Sequence, residues 1–327
     1  MSNIFKKIVK QKKTSIDWGT SAVKIAHWSY AKEGGRIESV TAFPIDDSLA
    51  TRLKTIWEDR EYSCTNVTLC LDGPETLVRV IDFPRVDKKA IRDSLSFELE
   101  HYTPYKFDEV YFDYSVIADD SQSDKIKMIL ALVKRDFLEE KLLILKEAGV
   151  SPSKVMLGPV VLYNAFKKAN PESDQTVAIF DYGYNTSMLT VVDKGSIVLA
   201  REIKRGIKEL YARVGSAIGM DIASYKDLEA NKFRVTRSVL HDVTMELCSD
   251  VRMSFDYIAT KENLTVSKIF VTGGMSTSAS LWDVFSSVTG IEVVPLDVTS
   301  SVAMLPLAKK QMEESGADFS VAVAAHL

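Results

Sequence analysis

Two stretches of this 327-residue chain repeat one pattern half a chain apart: Ile16-Asp17-Trp18-Gly19-Thr20-Ser21 and Phe180-Asp181-Tyr182-Gly183-Tyr184-Asn185-Thr186. Each has an apolar lead-in, an Asp-aromatic-Gly core and then hydroxyl or amide residues. An acid at a strand end, a Gly that permits a tight turn and small donors after it suit a hairpin whose N–H groups face a phosphate. One Asp-x-Gly constrains little, because Asp and Gly are ordinary turn residues. Two copies at this separation constrain the chain far more, since two such hairpins can grip one polyphosphate from both sides.

The length suits about two domains with a sizeable core. Hydrophobic residues at 46% and charged residues at 26% match a globular protein. A net charge of −4 argues against a nucleic-acid-binding surface over the whole molecule. Cys64, Cys70 and Cys248 form no Cys-x-x-Cys and no zinc-like spacing with histidine, so they read as reduced thiols of a cytoplasmic protein. No apolar run reaches the roughly 18–20 residues that span a bilayer, and the start lacks a signal-peptide pattern. Residues 1–13 place Ile4, Phe5, Ile8 and Val9 at helical spacing beside five lysines. This basic tail is either a peripheral contact for an anionic membrane or a solvated terminus.

Periodicity gives a β-β-β-α opening: the first hairpin, a strand over 36–43 and a helix over 48–60. A strand over 67–71, the breaker Asp72-Gly73-Pro74 and a strand over 77–83 follow. Asp87 is placed to cap a helix over 88–102, which must end before Pro104. Strands over 110–117 and 126–133 and a helix over 135–148 complete an inserted β-α-β-β-α unit. After the polar segment 170–175 the β-β-β pattern returns, then a helical stretch over 206–260, a strand over 268–272 and a closing alternation of helix, strand and helix. The resulting division is a tail (1–13), a first half (14–66 and 154–170) with a small subdomain inserted in it (67–153), a second half (171–205 and 261–327) and a helical subdomain (206–260).

A third element is the strand Ile269-Phe270-Val271-Thr272 ending in Gly273-Gly274-Met275, where a glycine pair lets a base or ribose approach the backbone. The order of two Asp-x-Gly hairpins and then Val-Thr-Gly-Gly resembles the actin-like ATPases, which include actin, sugar kinases, heat-shock chaperones and FtsA. Three segments resemble the PilM-type family of that group more closely. They are Asp17 through Lys24; Phe83-Pro84 through Phe97-Glu98, Tyr102, Pro104 and Asp113-Tyr114; and Arg252-Met253-Ser254-Phe255-Asp256-Tyr257. The resemblance runs from residue 14 to nearly the end.

It implies an α/β, actin-like fold of duplicated ribonuclease-H-like halves with a small α+β subdomain inserted in the first half. ATP and Mg²⁺ would sit in the cleft. Asp17 and Asp181 would face the metal through water, and Gly19, Thr20, Ser21, Gly183, Asn185 and Thr186 would hold phosphates. Lys24 would contact phosphate or cover its strand. Gly273, Gly274 and Met275 would meet the adenosine. The family's Glu, followed three residues later by Lys, falls at Lys226 and Glu229 in reversed order; either the pair is swapped or the match is out of register.

No water-orienting residue is evident, Asp72 being the nearest by spacing, so the expected activity is at most slow ATP hydrolysis. The family's partner is the cytoplasmic N-terminal peptide of a PilN-like bitopic inner-membrane protein, alongside other pilus platform proteins at the cytoplasmic face of the inner membrane. Phe97, Tyr102 and Tyr105, with Phe107, are a peptide groove or ordinary core aromatics. Rival readings are an FtsA-like filament protein, a type II secretion platform component and a sugar-kinase-like phosphotransferase. The last would need an acidic base in the cleft.

Overall fold

The computed structural model describes residues 11–31, 34–59, 62, 64, 66–119, 121–300, 302–315 and 318–327. The basic tail reading therefore lies outside the described residues up to position 10, and Gln11 to Lys13 already belong to a strand. The chain runs β1 (Gln11–Trp18), β2 (Ala22–Ala31), β3 (Gly34–Pro44), α1 (Leu49–Asp59), β4 (Val67–Leu71) and β5 (Thr76–Pro84). There follow α2 (Ile91–Tyr102), β6 (Val110–Ala118), β7 (Lys125–Lys134), α3 (Arg135–Glu147), β8 (Pro152–Leu157) and α4 (Gly158–Ala169). The second part is β9 (Thr176–Tyr182), β10 (Ser187–Asp193), β11 (Ser196–Ile203), α5 (Ile207–Ile218), α6 (Tyr225–Ala230) and α7 (Arg237–Glu262). It continues with β12 (Lys268–Gly273), α8 (Ala279–Thr289), β13 (Glu292–Pro295), β14 (Ala303–Met304), α9 (Pro306–Ser315) and α10 (Ser320–Ala324).

Local chemistry accounts for the element ends. Asp87 does not cap α2 directly. Its side chain accepts the Lys89 amide and its carbonyl the Ala90 amide, closing a turn before the helix begins at Ile91. Thr103 is extended, as a residue before proline must be, and α2 stops there. The long helical stretch is three helices: α5 ends on left-handed Gly219, Ser224 caps α6, and Thr236 caps α7 by accepting the Val239 amide.

The first sheet has the order β14-β3-β2-β1-β4-β8 and the second the order β11-β10-β9-β12-β13. In both, an antiparallel three-strand hairpin is extended by parallel strands, β4 beside β1 and β12 beside β9. The duplicated hairpins thus sit at the same place in two copies of one topology. Parallel strands such as β4 are buried throughout, which explains their continuous apolar runs.

The third sheet, β5-β7-β6, is antiparallel and lies between β4 and β8 in sequence. Its own core of Phe83, Ile91, Leu95, Leu99 and Met128 is separate from the two large ones. Strand β4, grouped with the insertion by the sequence, pairs with β1 and β8 in the first sheet.

The C-terminal segment departs from its expected placement in the second half. β14 pairs with β3, the Leu305 amide donates to the Ile37 carbonyl at 2.9 Å, and Gln311 on α9 accepts the Val40 amide at 3.0 Å. Phe319 to Ala324 are buried, all but half-buried Ser320, in the first half's core, where the Ser15 hydroxyl donates to the Ala322 carbonyl. The last turn of chain therefore crosses from the second half back to the first.

Candidate functional site

Both hairpins open into one cleft of about 1330 Å³, counting the space open to solvent. Asp17, Gly19, Thr20, Ser21 and Lys24 line it from the first half, and Asp181, Gly183 and Thr186 from the second. Gly273 and Gly274 close its far wall. The first hairpin turns through the Gly19 amide, which donates to the Ala22 carbonyl at 3.1 Å. The second is fastened to α5, whose Ile207 and Lys208 amides donate to the Gly183 and Tyr184 carbonyls.

Four of the residues expected in the cleft, Asn185, Met275, Lys226 and Glu229, fall elsewhere. Asn185 is exposed and absent from the cleft lining. Met275 is fully buried beneath the wall, its carbonyl accepting the Trp282 indole N–H at 2.8 Å and its sulfur facing the Tyr211 hydroxyl at 3.6 Å. Lys226 is exposed on α6 and does not line the cleft. Glu229 is paired with Lys232 at 3.7 Å, acid first and base three residues later. Ala223, Ser224 and Tyr225, at the start of α6, line the cleft instead.

Charge is the cleft's dominant property. Asp17 is 2% exposed and accepts the Lys24 ammonium at 2.9 Å. Burial alone would lower the Lys24 pKa, but Asp17, Asp318 and Asp181 outweigh it and hold the ammonium above its ordinary value. Burial, then the Asp318 and Asp17 carboxylates, push Asp181 up to about 7 against the opposing pull of Lys24. Asp72 is driven well above the carboxylate range by burial and by Asp181 and Asp17. A Cβ at Gly158 would stand 2.1 Å from an Asp72 oxygen, so that carboxylate is wedged against the first turn of α4.

Four aspartates thus surround one lysine. A polyphosphate can enter so acidic a cleft only with a divalent cation, and magnesium binds through one or two carboxylates while keeping waters and phosphate oxygens. Among the described residues no three acidic, His or Cys side chains form a metal cage of their own. The donor set is compatible with a metal that arrives with its ligand, whose waters Asp17 and Asp181 would take.

Stability against pH follows with a definite sign. Asp181 binds its proton more tightly in the fold than in the unfolded chain. Its contribution is complete below the ordinary carboxylate pKa and is lost as pH rises to about 7. The ligand-free protein is expected to melt at a lower temperature at about pH 8 than at about pH 5, while stabilisation by Mg-ATP grows over the same interval. Thermal melts with and without Mg-ATP check both trends, and parallel curves would refute the assignment.

Asp318 is the residue that sequence reasoning missed most clearly. One of its oxygens accepts the Gly273 amide at 2.8 Å, the Ser276 hydroxyl at 3.0 Å and the Thr272 hydroxyl at 3.2 Å. The other accepts the Ser320 amide at the start of α10. It joins the second half's glycine wall to the helix buried in the first half, and no local pattern around it marks that role. Gly273 has φ +96°, and a Cβ there would lie 2.2 Å from the Tyr182 carbonyl oxygen. Gly273→Ala is expected to cost about 2–4 kcal/mol in chemical denaturation, combining left-handed strain with the clash.

A second cavity, about 730 Å³ and mostly apolar, runs between the free edges of β6 and β8. Tyr111, Phe112, Leu132, Val155 and Leu157 line it. Phe97, Tyr102 and Tyr105 do not. Phe97 stands 89% exposed on α2, Tyr102 packs on Phe83, and the Tyr105 hydroxyl donates to the Pro74 carbonyl at 3.4 Å. The alternating strand over 110–117 carried the signal for this groove; the short β8 carried almost none.

A family model described as type IV pilus assembly protein PilM matches residues 15–325. The chain is similar to a solved PilM-PilN type IV pilus biogenesis complex, at 18% identity over 97% of this chain and 98% of that chain, with a TM-score of 0.83. It is also similar to a Bacteroides thetaiotaomicron protein with an actin-like ATPase fold, at 12% identity over 90% and 93% of the two chains, with a TM-score of 0.51. At such identities the likeness establishes the fold, which is the actin-like ATPase fold the duplicated hairpins imply. With its two hairpins, glycine wall and inserted sheet in that arrangement, the chain belongs to the type IV pilus assembly protein PilM family.

Proposed function

We propose that this protein binds Mg-ATP in the cleft and docks the cytoplasmic N-terminal tail of a PilN-like inner-membrane protein, as an assembly component of a type IV pilus platform. The observation that carries the reading is the convergence of Asp17, Lys24 and Asp181, from two halves of the chain, on one cleft whose acidity calls for a metal-bound polyphosphate. The Gly19 amide is committed within its turn, so the Thr20 and Ser21 amides at the first tip and those of Gly183 and Thr186 at the second are the phosphate donors. Tyr225 and Gly274 face the nucleoside end.

The apolar groove between β6 and β8 is the docking site. Both flanking strands are sheet edges with unpaired backbone groups, so an extended peptide gains main-chain hydrogen bonds while its side chains enter apolar pockets. No described helix is long and apolar enough to cross a membrane, and the partner supplies the membrane attachment at its cytoplasmic face. Residues 67–71 belong with the first half, and the inserted sheet β5-β7-β6 makes one wall of the groove.

The test is a pull-down from membranes with Mg-ATP present and absent. Recovery of a single-pass protein through its cytoplasmic tail, changed by nucleotide, is expected. Rapid phosphoryl transfer to a small acceptor, with no such protein recovered, would replace this reading by the kinase one.

A further inference from the structure

The duplicated hairpins can be compared position by position along their ladders. In the first half Asp17 on β1 faces Lys24 on β2, and Lys24 faces Ala42 on β3. In the second half Asp181 on β9 faces Met188 on β10, and Met188 faces Glu202 on β11. Directly opposed residues of an antiparallel pair point to the same side of the sheet. Each half therefore presents one row of three side chains, Asp-Lys-Ala in one and Asp-Met-Glu in the other. Asp17, Lys24, Asp181, Met188 and Glu202 all line the cleft. The repeat has diverged in its chemistry: one half supplies an ammonium, and the other a third-strand carboxylate.

Glu202 stands two strands from Asp181, about 10 Å away at ~4.8 Å per strand. That separation leaves room for a metal-bound phosphate and one water between them. One Glu202 carboxylate oxygen is closed off from solvent and has no hydrogen-bond partner. Two other acids of the cleft wall are engaged, Asp17 by Lys24 and Asp318 by Gly273, Thr272 and Ser276. A shielded acceptor left without a donor is destabilising. Such a cost is kept where a ligand or a reacting water provides the missing donor. Asp72, the sequence's nearest candidate, lies against Gly158 on the opposite side of the cleft.

Resting on the nucleotide reading above, we infer that Glu202 is a catalytic residue that orients and deprotonates the water attacking the terminal phosphate of a bound nucleoside triphosphate. The water oxygen bonds to the γ-phosphorus as the bond from that phosphorus to the β–γ bridging oxygen breaks. The water's proton passes to the Glu202 carboxylate and then to solvent, leaving nucleoside diphosphate and inorganic phosphate. Lys24, on the opposing row, offsets charge on the phosphate oxygens. Met188, between the two acids, holds apolar surface where a second water would otherwise compete.

The wild-type chain and its Glu202→Gln and Glu202→Asp variants are incubated with Mg-ATP, and the bound nucleotide is released and separated by chromatography. Affinity for a non-hydrolysable ATP analogue is measured in parallel by calorimetry. The wild type is expected to end with ADP and Glu202→Gln to retain ATP, with conversion slowed ~100-fold or more. Glu202→Asp recovers part of the conversion, and all three bind the analogue with equal affinity. A wild type that holds only ATP, or a Glu202→Gln variant that converts as fast, overturns the role of Glu202 and leaves the nucleotide reading standing. If no chain takes up Mg-ATP or the analogue, the nucleotide reading fails and the inference falls with it.

Discussion

Asp181→Asn is expected to weaken Mg-ATP binding ~10–100-fold while making the ligand-free protein more stable. The two effects share one cause. Asp181 sits among Asp17, Asp318 and Asp72 with a single lysine to oppose them, so its ionised form is held against burial and repulsion. An uncharged, nearly isosteric amide removes that repulsion and should raise the melting temperature at about pH 8 by a few degrees, because a kilocalorie is worth roughly 2–4 °C in a chain of this size class. On the proposed reading, the same change removes an acceptor for the metal's water shell, and with it part of the charge that would hold the cation accompanying a polyphosphate.

Asp17→Asn should lose affinity comparably but fall in stability, since it strands the part-buried Lys24 ammonium without its 2.9 Å partner. Calorimetric titration with Mg-ATP, paired with thermal melts, separates the two outcomes. Unchanged affinity in both variants would remove the cleft assignment.

Val155→Asp is the second large effect. Val155 lies on the edge strand β8, 38% exposed, so a carboxylate there is solvated in the free protein and the fold is kept. A peptide seated in the groove would desolvate that charge against Phe112, Leu132 and Leu157. The penalty of several kcal/mol should reduce affinity for a PilN-like N-terminal peptide by ~100-fold or more. Mg-ATP affinity should not change, because the groove and the nucleotide cleft have no lining residue in common. Fluorescence anisotropy with a labelled tail peptide measures the first, and calorimetry the second. Tight peptide binding by Val155→Asp would place the docking surface elsewhere, with Phe97 on α2 the next position to substitute.

The groove and the cleft differ in how legible they were. Asp17, Gly19, Thr20 and Asp181 stood out because one turn chemistry occurs twice, and repetition is visible in sequence without any knowledge of contacts. Phe97 and Tyr105 attracted attention as aromatics on an amphipathic helix and beside it. Composition does not say which of them the inserted sheet covers and which it leaves in water. Tyr111 and Val155, on two strands that meet only in space, form the groove instead. Lys226 and Glu229 are a related case: helical spacing of charges is common on exposed surfaces, and only the fold shows that Lys226 stands in water and that Glu229 pairs with Lys232, just past the end of α6.

By itself the sequence determined the duplicated halves, the two Asp-aromatic-Gly hairpins and the presence of an inserted β-α-β-β-α unit, because period, turn chemistry and order along the chain are local properties. Only the tertiary structure decided that Asp318 and the last helix return to the first half, and that Glu202 shares a row with Asp181. It alone decided that two sheet edges frame an apolar groove. These depend on strand register and on contacts between residues hundreds of positions apart, which burial of the two cores selects and no local pattern encodes.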